Sequence, residues 1–239
     1  MVLAINHTRR WNREWCKAKE MVDANSIGNL VRLVTHCLGD KPNPGWRAEE
    51  EGPLLHDGTH SFDALRMFGG DADWVVGTAV KRVQPYPVED ESLAIVRFKS
   101  GVSGLAIVDE LTEFNQFDLE IVGTHGRIFL GDFGNSYCGI KKSPTMDGES
   151  DSSIEWWDLD PRPFPEVAPR PPLLEAADDV ISAIDTGRPC RSTGQDGRAA
   201  LELIAAIYES ERCGGARISL PLPGGPAPLH QMRAAGFYS

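Results

Sequence analysis

Leu93-Ala94-Ile95-Val96-Arg97-Phe98-Lys99-Ser100-Gly101-Val102-Ser103-Gly104-Leu105-Ala106-Ile107-Val108-Asp109-Glu110-Leu111 reads as two strands joined by a tight turn. β-Branched residues dominate both runs, and Lys99-Ser100-Gly101 supplies the turn chemistry between them. So short a link joins antiparallel neighbours; a parallel crossover needs a dozen residues or more. Both alternating sets in the first run are apolar, Leu93 and Ile95 on one side, Ala94, Val96 and Phe98 on the other. A sheet made of such strands needs cover on both faces. Working outward, Trp74 to Val83, Phe117 to Val122 and Arg127 to Leu130 have the same character, the last two split by Gly123-Thr124-His125-Gly126.

Helical spacing governs the flanks. Trp15, Ala18, Met21 and Val22 form a stripe over Arg13 to Asn25, with Asn12 as cap. A second helix is expected from about His56 to Phe68, closed by Gly69-Gly70. A third spans Leu173–Thr186, with Leu174, Ala177, Val180, Ile181 and Ile184 as its expected buried stripe. A fourth runs from about Gln195 to Cys213, carrying Ala199, Leu201, Leu203, Ile204 and Ile207. Val2 to Asn6 reads as a short buried strand, Leu30 to Cys37 as a longer one, and Ile218-Ser219-Leu220 as a last short one. Residues 141–153 read as polar loop. Residues 161–172 hold six prolines and read as an extended crossing segment, and Trp156-Trp157 as a sheet edge. This order predicts an α+β domain over 1–222, with an open, mostly antiparallel sheet, helices on one face, and a tail at 223–239. A second copy of the chain is the expected cover for the other face, making a homo-oligomer.

Net charge across the 239 residues is −11, which excludes general affinity for nucleic acid or anionic membrane. No apolar run is long enough for a membrane span. The five cysteines are widely spaced, with no Cys-x-x-Cys pair, so neither a zinc site nor a disulfide framework is expected. The opening Met-Val-Leu-Ala-Ile is too short for a signal-peptide core, and a reducing, cytoplasmic setting is expected.

The strongest chemical signal is Leu54-Leu55-His56-Asp57-Gly58-Thr59-His60-Ser61-Phe62-Asp63. In one helix His56, His60 and Asp63 share a face, with Phe62, Leu65 and Met67 opposite. Imidazoles titrate near neutrality, so such a strip suits acid/base chemistry. Two bland alternatives stand beside it: one histidine capping the helix and the other bonding a loop carbonyl, or a His-x-x-x-His metal pair that lacks the Glu of a metalloprotease. Arg9 and Arg10 could face an anionic or hydroxyl-rich ligand. Trp11, Trp15 and Trp46 could stack on a sugar ring, with core duty favoured for Trp15.

Together the segments resemble the Gfo/Idh/MocA family of glucose–fructose oxidoreductases and inositol dehydrogenases. The resemblance lies in Ile5-Asn6-His7-Thr8-Arg9-Arg10-Trp11, Ile27-Gly28-Asn29-Leu30, the Trp46 loop, Leu55 to Asp63 and Phe98 to Gly104. It continues in Ile121 to Ile128, Ile184 to Pro189 and Ala206 to Ser210, so it covers roughly residues 2–222. It implies a substrate-binding and oligomerising C-terminal domain acting on a sugar, cyclitol or similar polyol, with NAD or NADP in the complete enzyme. Residues 2–6 resemble the end of a nucleotide-binding domain. No Gly-x-Gly-x-x-Gly follows a strand, so no dinucleotide is expected on this chain alone. The family's Glu-Lys-Pro is also missing, and Asp40-Lys41-Pro42 falls after the first strand of the domain, not before it. The family's Asp-x-Gly-x-His-x-x-Asp aligns on Gly58, His60 and Asp63. The resemblance thus implies His60 as proton acceptor and donor, Asp63 as orienting one of the two histidines, and His56 where an aspartate is usual. Arg9, Arg10, Trp11 and Asp57 would line the substrate. A non-catalytic sugar-binding or dimerisation module and a metal-dependent hydrolase are the alternatives.

Overall fold

Gly101 adopts φ +89°, the left-handed conformation that the Lys99-Ser100-Gly101 turn demands. Around it, Glu91–Phe98 and Ser103–Asp109 pair antiparallel, with Ile95 opposite Leu105. The computed structural model describes residues 2–40, 50–143 and 157–238. Trp46, Trp156 and most of the expected polar loop at 141–153 lie outside the described residues. In chain order the strands are β1 Leu30–Asp40, β2 Ala72–Gly77, β3 Glu91–Phe98, β4 Ser103–Asp109 and β5 Leu111–Gly123. They continue as β6 Gly126–Gly131, β7 Ser136–Lys142, β8 Trp157–Arg162 and β9 Ile218–Ser219. The nine form one sheet in the order β8-β7-β6-β5-β1-β4-β3-β2-β9. Pairing is antiparallel throughout except between β1 and β4. The mostly antiparallel, open α+β architecture is as expected.

Helices α1 Arg13–Asp23, α2 Pro53–His56, α3 Gly58–Gly69, α4 Pro172–Thr186, α5 Gly194–Arg212 and α6 Pro228–Ala234 complete the described fold. Asn12 caps α1, its side chain accepting from the backbone N–H of Glu14 and Trp15. Thr193 and Asp196 form a capping box on α5. The sheet face under the helices buries Leu33, Val96, Phe98, Ile121 and Ile128 against Phe62 and Leu65 of α3 and Leu203, Ile204 and Ile207 of α5. On the opposite face Leu93 is 46% and Ile95 47% exposed. Among the described residues, no helix is long and apolar enough to cross a membrane.

Several expectations need correction. Val2 to Asn6 is no strand: Ala4 makes a single bridge to Thr193, Ile5 N–H donates to the Ser192 carbonyl, and Leu3 is exposed. Its neighbour is the loop entering α5, which offers no strand to pair with. Trp74 to Val83 keeps strand geometry only to Gly77. β7 went unread, and β8, known only as an edge at Trp157, carries Pro161 and alternates poorly. Helix α4 forms where expected, but its stripe faces outward: Leu174, Ile181 and Ile184 are 53–62% exposed. Asp179 and Ala183 turn inward instead, because Asp179 accepts from Trp11 Nε1 and the Arg191 N–H. Within 223–239, α6 packs on the core, burying Leu229, Met232 and Tyr238.

Tyr208 of α5 donates to Glu89 Oε1 at 2.7 Å, both groups fully enclosed, and Glu89 also accepts from the Leu54 N–H. This pair joins α5, α2 and the approach to β3. Tyr208→Phe leaves the carboxylate one donor short, and a loss of about 1–3 kcal/mol is expected. The urea midpoint should fall accordingly, and an unchanged midpoint would deny the pair a structural role.

Candidate functional site

Leu54 to Asp63 folds as two helices. Pro53 opens the single turn α2, Asp57 breaks it, and α3 starts at Gly58. Gly58 is required by close approach: a Cβ there would lie 3.0 Å from the Pro53 carbonyl and 3.3 Å from Val108 Cγ1. The break separates the two imidazoles. His56 Nδ1 turns to Glu110 Oε1 at 3.0 Å, so the expected shared face of His56, His60 and Asp63 does not form. Among the described residues, no group of three or more His, Cys, Asp or Glu is placed to hold a metal ion.

His60 stays on α3, its Nδ1 enclosed and without a hydrogen-bond partner among the described residues. Burial, then the positive charge of Arg9 and the neighbouring His7, lowers its pKa below the ordinary 6.5, while Asp57 and Asp63 oppose that shift. The ring is therefore neutral at physiological pH and able to accept a proton. Asp57, at the break between the helices, is 60% exposed, with one carboxylate oxygen 3.6 Å from His56 Nδ1.

Asp63 does not orient either predicted histidine. It is 1% exposed, takes Arg10 Nε at 2.8 Å and Nη2 at 2.9 Å, and lies 3.2 Å from His7 Nδ1. Burial alone would raise its pKa, but the hydrogen bonds from His7 and Arg10 hold it below the usual carboxylate range. Arg10 also reaches Asp196 Oδ1 at 3.1 Å and the Arg191 carbonyl at 3.0 Å. Its fork is occupied by protein, so it is a frame residue, not a ligand donor. Trp11 is likewise not free to stack on a sugar, being 1% exposed with Nε1 on Asp179.

Arg9 differs. Its guanidinium lies 4.1 Å from the Phe117 ring centroid and 5.8 Å from that of Trp15, and among the described residues its side-chain hydrogen bond goes to Thr8 Oγ1. His7 was missed by sequence reasoning. It is 5% exposed, between Asp63 and Ser192 Oγ, with its ring edge-on to His60 at 6.0 Å between centroids. A histidine two residues before the Arg9-Arg10 pair was the available signal, but its partners are remote in sequence. The structure thus sets the His7 ring against His60, with Arg9 and Asp57 acting on that imidazole through their charges, and sends His56, Asp63, Arg10 and Trp11 into pairings with protein groups.

The described residues thus combine an open nine-strand sheet with a half-buried imidazole near the start of a helix. Residues 15–129 match the GFO/IDH/MocA C-terminal domain. It is 25% identical over 221 residues to myo-inositol 2-dehydrogenase of Thermotoga maritima, covering 88% of this chain and 62% of that protein. The fold is shared with levoglucosan dehydrogenase in complex with NADH and L-sorbose (TM-score 0.75, 20% identity), covering 93% of this chain and 67% of that one. It is shared as well with the WlbA dehydrogenase of Bordetella pertussis in complex with NADH and UDP-GlcNAcA (TM-score 0.70, 22% identity), covering 93% and 65%. The chain therefore spans about two-thirds of these relatives. Its described residues hold no Rossmann unit: the single parallel pair, β1 and β4, has no Gly-rich strand-to-helix turn, so nothing here fits a dinucleotide pyrophosphate.

Proposed function

We propose that this domain grips a sugar, cyclitol or related polyol for NAD(P)-dependent oxidoreduction, with the dinucleotide held by a separate nucleotide-binding domain. The half-buried imidazole of His60, held neutral by burial and by the charge of Arg9, carries the reading. His60 takes the proton of the hydroxyl being oxidised and returns it in reduction. His7 sets the ring's edge, Asp57 accepts from neighbouring hydroxyls, and the Asp63–Arg10 pair fixes α3 against the 3-10 turn Thr8–Trp11. NAD(P), when bound, supplies the hydride acceptor. The polyols named with the relatives, inositol, levoglucosan and L-sorbose, support this substrate class.

The outward stripe of α4 supports docking of the nucleotide-binding domain there. Helix α4 packs on the Thr8–Trp11 turn, next to the site, and leaves four large apolar side chains, Leu173, Leu174, Ile181 and Ile184, at 53–62% exposure. Alone, the chain is expected to show no dehydrogenase turnover. With a nucleotide-binding domain joined ahead of it, polyol-dependent reduction of NAD(P) is expected. Turnover by this polypeptide alone would overturn the division of labour.

The open sheet face is proposed to take a second copy. The nine strands, from two residues in β9 to thirteen in β5, lie at about 4.8 Å spacing and about 3.3 Å per residue and present roughly 1,000 Å², enough for one partner's share of a stable dimer. Val31, Leu93, Ile95 and Leu105 lie exposed on it. Ile95→Asp should convert dimer to monomer in sedimentation velocity with the fold intact. A wild-type chain that stays monomeric at every concentration would contradict this.

A further inference from the structure

We propose that Arg9 makes this site selective for a polyol bearing a carboxylate, an aldonate or uronate, over the neutral sugar. The inference rests on the polyol reading above and sharpens its substrate class. Arg10, Arg13 and Arg66 each have a carboxylate within 3.4 Å. Arg9, itself half-buried, has none within ion-pair distance among the described residues, and only Thr8 Oγ1 as a hydrogen-bond acceptor there. A guanidinium taken partly out of water without an anion is costly.

Phe117 and Trp15 offset part of that cost through the π face of the guanidinium, an interaction of about 0.5–2 kcal/mol. Stacking uses the face and leaves the in-plane N–H donors, the set that accepts a carboxylate bidentately. Asp132 and Asp57 act on Arg9 through their charges, without an ion pair among the described residues, and that negative charge opposes a doubly charged phosphate more than a singly charged carboxylate. His7, two residues before Arg9, meets the His60 ring at 6.0 Å between centroids, which sets the Thr8–Trp11 turn carrying Arg9 against α3. A carboxylate on Arg9 therefore places the adjoining hydroxyl-bearing carbons by the imidazole.

A stacking clamp between the Thr8–Trp11 turn and β5 would be the purely structural role. Isothermal titration of the full chain with sodium D-gluconate, D-glucitol and D-glucitol 6-phosphate at matched ionic strength separates the two. Gluconate and glucitol differ only where carboxylate replaces CH₂OH. Gluconate is expected to bind about tenfold tighter than glucitol and tighter than the phosphate. Arg9→Gln should bring gluconate to the affinity of glucitol. Arg9→Lys, which keeps the charge without the fork, should keep part of the preference, and near-UV circular dichroism of Trp15 reports that each variant folds. Equal affinity for gluconate and glucitol, an undiminished preference in a folded Arg9→Gln, or tighter binding of the phosphate would overturn the assignment while leaving the polyol reading in place. Binding of neither polyol at tens of millimolar would end both.

Discussion

Asp63→Ala is expected to cost the folded chain about 3–5 kcal/mol, because it leaves the Arg10 guanidinium without its buried carboxylate. The carboxylate is 1% exposed and receives three hydrogen bonds from Arg10. For a domain of this size each kcal/mol moves the melting temperature by about 2–4 °C, so a fall of roughly 10 °C is expected in calorimetry. Asp63→Asn, which keeps one acceptor, should fall between. The same carboxylate sets an acid limit. Its folded pKa lies below its ordinary value of 3.8, so the unfolded chain takes up the proton first. The stabilisation is present above that value and is lost as pH falls through the folded pKa. A melting temperature within a degree or two of wild type in Asp63→Ala would show that the turn carrying Arg9 is held by other contacts.

His60→Asn is expected to lower kcat by about 10²–10⁴ in the enzyme completed with a nucleotide-binding domain, with little change in dinucleotide affinity. The rate should also fall on acidification, as the imidazole is protonated and can no longer accept a proton. That limb lies below pH 6.5, since burial and the Arg9 charge depress the ring's pKa. Stability follows the same direction. Below about pH 6.5 the unfolded histidine binds a proton before the folded one, so stability declines until the folded ring is protonated too. A rate insensitive to His60→Asn would remove the imidazole from the chemistry.

The central strands were legible because their turns and β-branched runs are local signals, as Lys99-Ser100-Gly101 shows. β7 was not: Ser136-Tyr137-Cys138-Gly139 lacks alternation and is held by pairing with β6. Helix α4 shows a different limit. Its period of apolar residues marks a face, but periodicity does not say what covers that face. The polar contacts of Asp179 with Trp11 and Arg191 decided the rotation. At the site, His60 and Arg9 could be picked out by residue type. The partner of Asp63 could not, because Arg10 lies 53 residues away and meets it only through the fold. The separation of His56 from His60 was in principle readable, since Asp57-Gly58 is a turn-forming pair inside a stretch read as one helix.

Whether a polyol sits against residue 60 is tested most directly by following the histidine ring C–H resonances in NMR while D-gluconate or D-glucitol is added at neutral pH. His60 is expected to move, with His7 following through the edge contact, while the exposed rings of His125 and His230 stay fixed. Saturable binding that shifts His125 or His230 and leaves His60 unmoved would contradict the placement of the substrate.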